Sequence, residues 1–585
     1  MLSHWVELHA ARLLDHIRFV RWVTGEAAAK AAVRANGAGR LGGSPFAQAI
    51  ELARCAAHQG HHQAPSYTVV GNVVVDRLPT APARRLASIP AQSWCTHWAS
   101  LHRKIDRDAA LSQAGAMNQM QSALQSRRQF LARTAMGAAG AAWALNTPST
   151  WAHVPGERPG RAPEVTVLNP RARVPVSFII DDSTCLVNLN RFAIPQFDAA
   201  FGGGNKAYHI NWREWPVEIP DAFVRRFAEW CAEHGVKGKY SVVPYPACVG
   251  RLDRLLPGWT QRELDQSLEL VRTVLVPNWD IHPEMVTHTR VIDLRTGHPY
   301  PDYSLKFMEN WDWTTGRSVD EIASYMAYAL QILKNVGLPC EGITTPGGFG
   351  NRARPQLAQA TLEAVRAVFG AEVPHYFRDA YEQGPESVAP RVEYASGLDG
   401  PDPRCVVSVI ACTGDWTGGW DCTPPGGADR FITADGQSGR LVEVIQRGEP
   451  ALLLAHWTGI YFNGAETGFK IFQEVVRRLH ARFDHLHWMK LSEVARYWAA
   501  RQLTRIELDG GSVRFKAPFA CPEFTVRWET TAQGPVRLRV GPVAEPLREV
   551  NSLRALIPGS WCREQQTVTA CFALPKGSSQ LEMGA

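Results

Sequence analysis

Residues 174–184 read "VPVSFIIDDST". Six of the first seven residues are apolar, and the run stops at two adjacent carboxylates, Asp181 and Asp182. A short apolar run bounded by polar residues is the pattern of a strand buried on both faces, as in a parallel sheet. Ionised groups at the mouth of such a strand are costly unless something pairs with them. The pair therefore asks for partners from elsewhere in the chain.

Downstream, strand-like and helix-like stretches alternate. "DAFVRRFAEWCAEHG" (221–235) has helical spacing and ends in glycine, followed by the strand-like "GKYSVVPYP" (238–246). "TQRELDQSLELVRTVL" opens on Thr260 with Glu263 three residues later, a capping box. A long helix is expected over 318–337, then the strand at "CEGITTPGG", a helix over 354–370, and the strand "CVVSVIACTGDW" (405–416). The helix "GRLVEVIQRG", the strand "ALLLAHWTG" (451–459), the helix "GFKIFQEVVRRLHARF" and the closing "LHWMKLSEVARYWAAR" complete the series. Repeated strand–helix units of this length predict an α/β fold, a distorted (β/α) barrel of seven or eight strands spanning 165–502. In such barrels the chemistry sits at the C-terminal ends of the strands. From about residue 503 the pattern becomes short alternating strands with turn signals, which predicts a small all-β sandwich over 503–585.

The chain has 585 residues and a net charge of +6. Residues 1–116 carry 13 Lys/Arg against 7 Asp/Glu, and the remainder carries 49 against 49. The predicted barrel thus has no basic excess, which removes the electrostatic case for nucleic acid. Twelve cysteines contain no CxxC pair, so zinc-ribbon and thioredoxin-like readings fail on spacing, while disulfides stay open.

"SRRQFLARTAMGAAGAAWAL" (126–145) places Arg127 and Arg128 before Phe130 and a small, apolar Ala/Gly run. This resembles a twin-arginine export signal, with Ala142–Ala144 or the region of Thr150–Ala152 as cleavage site. The run is too short and too poor in large residues for a membrane span. A signal of this kind works near an N-terminus, so translation is expected to start at Met117 or Met120, with 1–116 an over-extended reading frame and 117–153 the signal segment. The expected location is periplasmic or extracellular, with the twin-arginine machinery as a partner. The histidines of "HQGHHQ" (His58, His61, His62) have no framed fold around them and are set aside.

The strand ends supply Asp181 and Asp182, His288, the "TTPGGFGN" loop, Asp415 with Trp416, and His456. Carboxylates and imidazoles arriving from distant segments suit a metal site and acid–base hydrolysis. The glycines of "PGGFG" lack a following Lys-Ser/Thr, so a phosphate loop is excluded. Each residue also has a purely structural reading: a helix cap for the Asp pair, a hydrogen-bonded core histidine for His288, a loop cap or ion pair for Asp415.

In their order along the chain these motifs resemble the polysaccharide deacetylases of the NodB-homology type, over roughly residues 170–500. "FIIDD" matches the first motif, and the resemblance implies that Asp181 is the general base and Asp182 a metal ligand. "EMVTHTRVID" matches the second through Glu284, His288 and Thr289, with His288 a metal ligand. Ile292 stands where the family has its second metal histidine, and Asp293 beside it is the expected substitute, with His282 and His298 as further candidates. "ITTPGGFGN" keeps Pro346, Gly348 and Asn351 but has Thr344 where the family arginine orients the catalytic aspartate, leaving that role unfilled. Asp415–Trp416 echoes the fourth motif, and "LLLAHW" the fifth, with His456 the implied general acid. The implied cofactor is a divalent metal, zinc first.

Tryptophans gather in polar, Gly-rich stretches: Trp311 and Trp313 in "ENWDWTTG", Trp416 and Trp420 in "GDWTGGWD", and Trp457. Flat aromatic faces suit sugar rings, so these and Asn351 are expected to bind a glycan substrate. The sequence therefore reads as a metal-dependent carbohydrate deacylase. Two alternatives stay open: a glycoside hydrolase using Asp181 with Asp415 or Asp421, and a non-catalytic glycan-binding barrel.

Overall fold

The computed structural model describes residues 156–584 and, apart from these, the two-residue strands Val69–Val70 and Val73–Val74, which pair antiparallel. The expectations for residues 1–116 and for the signal segment 117–153 lie outside the described residues. Residues 156–584 belong to one compact unit, a mixed α/β core followed by an all-β C-terminal part.

Eight strands of the core run parallel in chain order: β1 (Val174–Asp181), β2 (Gly238–Ser241), β3 (Trp279–His282), β4 (Gly342–Thr344), β5 (His375–Ala380), β6 (Arg404–Ala411), β7 (Ala451–His456) and β8 (Leu486–Trp488). All eight residues of β1 are buried, as its unbroken apolar run requires when both faces are covered. Hydrogen bonding divides these strands into two sheets. One has the order β7-β1-β2-β3, with β8 also on β1; the other is β4-β5-β6, with Arg391–Ser396 antiparallel on β6. The two sheets touch at two places. A single parallel bridge joins Glu284 to Thr344, and the Cys412 amide donates to the Leu452 carbonyl at 2.8 Å.

Helices α1 (Leu189–Ala200), α2 (Asp221–Glu233), α3 (Gln261–Leu270), α4 (Val319–Asn335), α5 (Arg354–Phe369), α6 (Arg440–Gln446), α7 (Trp457–Tyr461), α8 (Thr467–Arg482) and α9 (Leu491–Leu503) intervene. The capping boxes read at Thr260/Glu263 and at Ser318/Glu321 both form. No helix among the described residues is long and apolar enough to cross a membrane.

The last helix explains how the all-β part attaches. Leu491, Ala495, Ala499 and Leu503 recur every four residues along α9 and pack with Val407 and Val409 of β6. A second stripe, Val494, Tyr497 and Trp498, packs with Phe515, Phe524 and Phe572 of the C-terminal part. An amphipathic helix buries one stripe; α9 buries two because it stands between two cores. The C-terminal part has two five-stranded sheets facing each other across that second core. One edge strand, Thr166–Val167, comes from before the α/β core and pairs with Val526 and Arg527. All ten cysteines of the described residues 156–584 are free thiols.

Candidate metal and acid–base site

Asp181 ends β1 and His456 ends β7, and the two are paired in register. Asp181 is 5% exposed, so its charge needs a partner. Lys239 of β2 provides one: its Nζ donates to Asp181 Oδ1, to the Ile180 carbonyl at 2.9 Å and to Ser241 Oγ at 2.8 Å. A fully buried lysine is rare unless its three donors are all used, as here. Burial pushes the Asp181 carboxyl up to about 6, against the pull of Lys239. The cation beside Asp181 thus comes from β2, not from the position of Thr344 on β4.

Asp182 turns away from Asp181 because its backbone is left-handed, with φ 59°. Such a conformation is unfavourable for a residue with a Cβ, and Asp tolerates it better than most. Its amide donates to Glu284 Oε2 at 2.8 Å, and its Oδ2 accepts from Asn190 Nδ2 at 2.7 Å. Asn190 Nδ2 also reaches Thr458 Oγ1 at 3.0 Å, tying Asp182 to the residues just after His456. His288 Nε2 lies 2.7 Å from Asp182 Oδ1 and 3.3 Å from Glu284 Oε1. Yet Asp182 Oδ1 and His288 Nδ1 are both buried without a hydrogen bond. Burial alone would raise the Asp182 carboxyl, but His288, His456 and Asn190 outweigh it and hold it well below the usual range. The same two carboxylates outweigh burial at His288 and raise it well above an ordinary imidazole.

One potential ligand atom from each of Asp182, Glu284 and His288 falls within 4.8 Å of the others. Two carboxylates and an imidazole converging in a buried place are a donor set that fits a divalent cation. The turn that presents them is strained at two further non-glycine positions, Met285 (φ 54°) and His288 (φ 62°). Glu309 holds that turn. Its carboxylate accepts from the amides of Val286, Thr287 and His288 at 2.6–3.2 Å and from the Tyr325 hydroxyl.

Asp293 does not join this cluster. It lies on a two-residue strand paired with His298–Pro299, and its carboxylate accepts from the Arg295 amide at 3.0 Å and guanidinium at 3.1 Å. The third group gathered with Asp182 and His288 is Glu284, four residues before His288. His298 is exposed on the same hairpin. Ile292 is buried in the core, its amide donating to Tyr325 Oη at 3.1 Å.

His456 Nδ1 lies 2.7 Å from Asp415 Oδ2, and its amide donates to Asp415 Oδ1 at 3.2 Å. Burial works against a charge on this ring, but Asp415, Asp182 and Asp181 outweigh it and raise His456 to about 10. Asp415 therefore touches His456 rather than open solvent or a cap, and leaves Nε2 of the ring as the transferable proton.

The tryptophans divide. Trp313 (6% exposed), Trp416 (7%) and Trp457 (1%) are buried. Trp313 packs on Tyr325 and Phe349, Trp416 on Phe431, and Trp457 on Phe223, Phe227 and Tyr240. These three are core packing, not a sugar platform. Trp311 and Trp420 are half-buried and both face Tyr208, at centroid separations of 6.3 and 5.7 Å. Trp311 also stands against Phe197, whose ring is 6.2 Å from that of His288. Asn351 is exposed, and its Oδ1 accepts from Arg378.

A second cluster among the described residues, Asp280, His282 and His375, also has ligand atoms within 4.8 Å of one another. The described part of the chain therefore holds two groups of side chains able to chelate a divalent ion.

No known family model matches the chain, and no curated protein matches it. Among solved structures, a candidate glycoside hydrolase/deacetylase from Parabacteroides distasonis aligns with 11% identity and a TM-score of 0.31, over 63% of this chain and 83% of its own. A candidate alpha-L-fucosidase from Bacteroides thetaiotaomicron aligns with 11% identity and a TM-score of 0.25, over 74% and 96%. A glycoside hydrolase family 30 subfamily 8 xylanase from Clostridium acetobutylicum gives 8% identity and 0.23, over 72% and 96%. Likenesses this slight carry no argument; the functional reading rests on the side chains.

Proposed function

We propose that this chain is a metal-dependent hydrolase that removes acyl groups from a carbohydrate, built on a distorted (β/α) barrel whose two parallel sheets meet at their edges. The observation that carries the reading is the convergence, at the ends of β1, β3, β6 and β7, of a buried Asp182–Glu284–His288 cluster, a Lys239-held Asp181 and an Asp415-held His456. A divalent ion, zinc first, held by Asp182, Glu284 and His288 would supply Lewis acidity toward an acyl oxygen and lower the pKa of a bound water. Asp181 accepts a proton as the water oxygen bonds to the acyl carbon. Lys239 keeps its carboxylate ionised and in one orientation. As the bond from the acyl carbon to the sugar nitrogen or oxygen breaks, His456 Nε2 gives its proton to the leaving atom. Asp415 fixes the ring through Nδ1 and stabilises its charged form. Tyr208, Trp311 and Trp420 offer the aromatic faces against which a sugar ring would lie. The reading includes export by the twin-arginine route from a start at Met117 or Met120, and the domain limits 165–502 and 503–585, with the all-β part as a cap.

The test is acyl release from acetylated amino-sugar oligomers by the full chain and by Asp181→Asn. The variant keeps the shape of the side chain and loses the base, so release should stop while the thermal melt stays cooperative. Release that continues in the variant, or that survives removal of metal by a chelator, would overturn the reading.

A further inference from the structure

The second cluster is built from strand register. On β3, His282 lies opposite Ser241, and Glu284 two residues on is bridged to Thr344 of β4. His282 is therefore level with Gly342, which pairs with His375 of β5. Residues level with one another on neighbouring parallel strands point to the same face. His282, Gly342 and His375 thus form one row, with two imidazoles separated by a residue that has no side chain. The two rings close over that gap: their Nε2 atoms are 3.0 Å apart, and a Cβ at 342 would lie 2.7 Å from each. Both histidines are 0% exposed. Asp280 precedes His282 by two residues and so shares its face. Its carboxylate is held by the Ser492 amide at 2.6 Å and hydroxyl at 2.8 Å, which leaves lone pairs on both oxygens.

If one Nε2 carries a hydrogen toward the other, the donor ring is left with a bare Nδ1 that needs a donor of its own. His375 Nδ1 has no hydrogen bond. His282 Nδ1 lies 3.3 Å from Thr344 Oγ1. In the tautomer with Nδ1 protonated on both rings, two Nε2 lone pairs face each other 3.0 Å apart. Metal-bound histidines are held in this way, with the far N–H turned to a carbonyl or hydroxyl and the near nitrogen free for the ion.

We infer that Asp280, His282 and His375 form a second divalent-metal site, separate from the Asp182 cluster, that pins β3 to β5 across Gly342. Two imidazoles and one carboxylate are a donor set that zinc and cobalt accept. Because the ligands sit within the strands, the ion is structural: it links the sheet that ends at β3 to the sheet that begins at β4.

The experiment uses the full chain carrying Asp182→Asn and His288→Ala, which disables the first cluster and leaves the second intact. Dialysed against Co²⁺, this variant should retain about one ion per chain, and X-ray absorption at the cobalt edge should show two imidazole nitrogens. Adding His375→Ala should release the ion and lower the melting temperature relative to the parent variant. A parent variant that melts as the wild type does but holds no cobalt overturns the inference. So does an absorption spectrum without paired imidazoles. Neither result bears on whether Asp181 is the base, so the two proposals fail separately.

Discussion

The two His/carboxylate clusters draw on the same two kinds of side chain in opposite proportion, two carboxylates with one imidazole against one carboxylate with two, and they differ in the backbone that carries them. Asp182, Glu284 and His288 sit just beyond strand ends, on turns with left-handed φ at Asp182, Met285 and His288. Their charges are exposed to one another and pull each other's pKa values far apart. Asp280, His282 and His375 sit within regular strands in register, where burial alone dominates, holding His282 far below its usual value and His375 at about 4. Backbone strain and opposed charges mark a place where a ligand can exchange and a proton can move. Regular backbone and neutral rings mark a place that holds what it has bound. The difference separates a catalytic candidate from a structural one without reference to residue type.

Several substitutions sharpen or break that contrast. The largest effect is expected at Asp181→Asn, where loss of a general base should lower turnover by about 10²–10⁴-fold, measured as acyl release under saturating substrate. Lys239→Met should cost about 3–5 kcal/mol, since it leaves a buried carboxylate without its cation, and urea unfolding reads this directly. Gly342→Ala should drive the two interior rings apart, costing about 1–3 kcal/mol through overpacking. It should lower cobalt retention at the second site while the first cluster keeps its ion; equal loss from both would erase the distinction between them. The smallest effect concerns pH. His456 must be protonated to act, and its carboxylate neighbours raise it to about 10, so activity should persist through neutral pH and fall as pH rises through about 10. Asp415→Asn should move that alkaline limb downward, toward the roughly 6.5 of an unperturbed imidazole. A limb that stays in place would remove Asp415 from the machinery.

Much of the first cluster was legible because strand ends are where barrel chemistry sits, and an apolar run ending in a charged residue shows itself in one dimension. Asp181, Asp182, His288, Asp415 and His456 all carry that mark. Lys239 does not, since a lysine in "GKYSVV" reads as a solvated strand edge, and only the pairing of β2 with β1 turns it toward Asp181. Glu309 in "MENWDW" likewise reads as a loop acid until the turn at 286–288 is seen to donate three amides to it. Asp293, His282 and His298 are the substitutes that the sequence offers for the histidine missing at Ile292, and for Asp293 sequence proximity stands in for space. The Glu284 to His288 spacing was the better signal. The tryptophans erred for a related reason: polar neighbours in sequence do not keep an indole at the surface, and Trp457 begins a short helix whose inner face is core. The His282–Gly342–His375 row could not be read at all, because it depends on the register of three strands separated by long helical connections.

The central claim is that the Asp182 cluster and Asp181 form one hydrolytic site. It is tested most directly by acyl release from an acetylated amino-sugar oligomer, with wild type and Asp181→Asn compared at matched metal content. The expected result is release by the wild type that ceases on chelation, returns with zinc, and is absent from the variant. Equal release by the two proteins would contradict it.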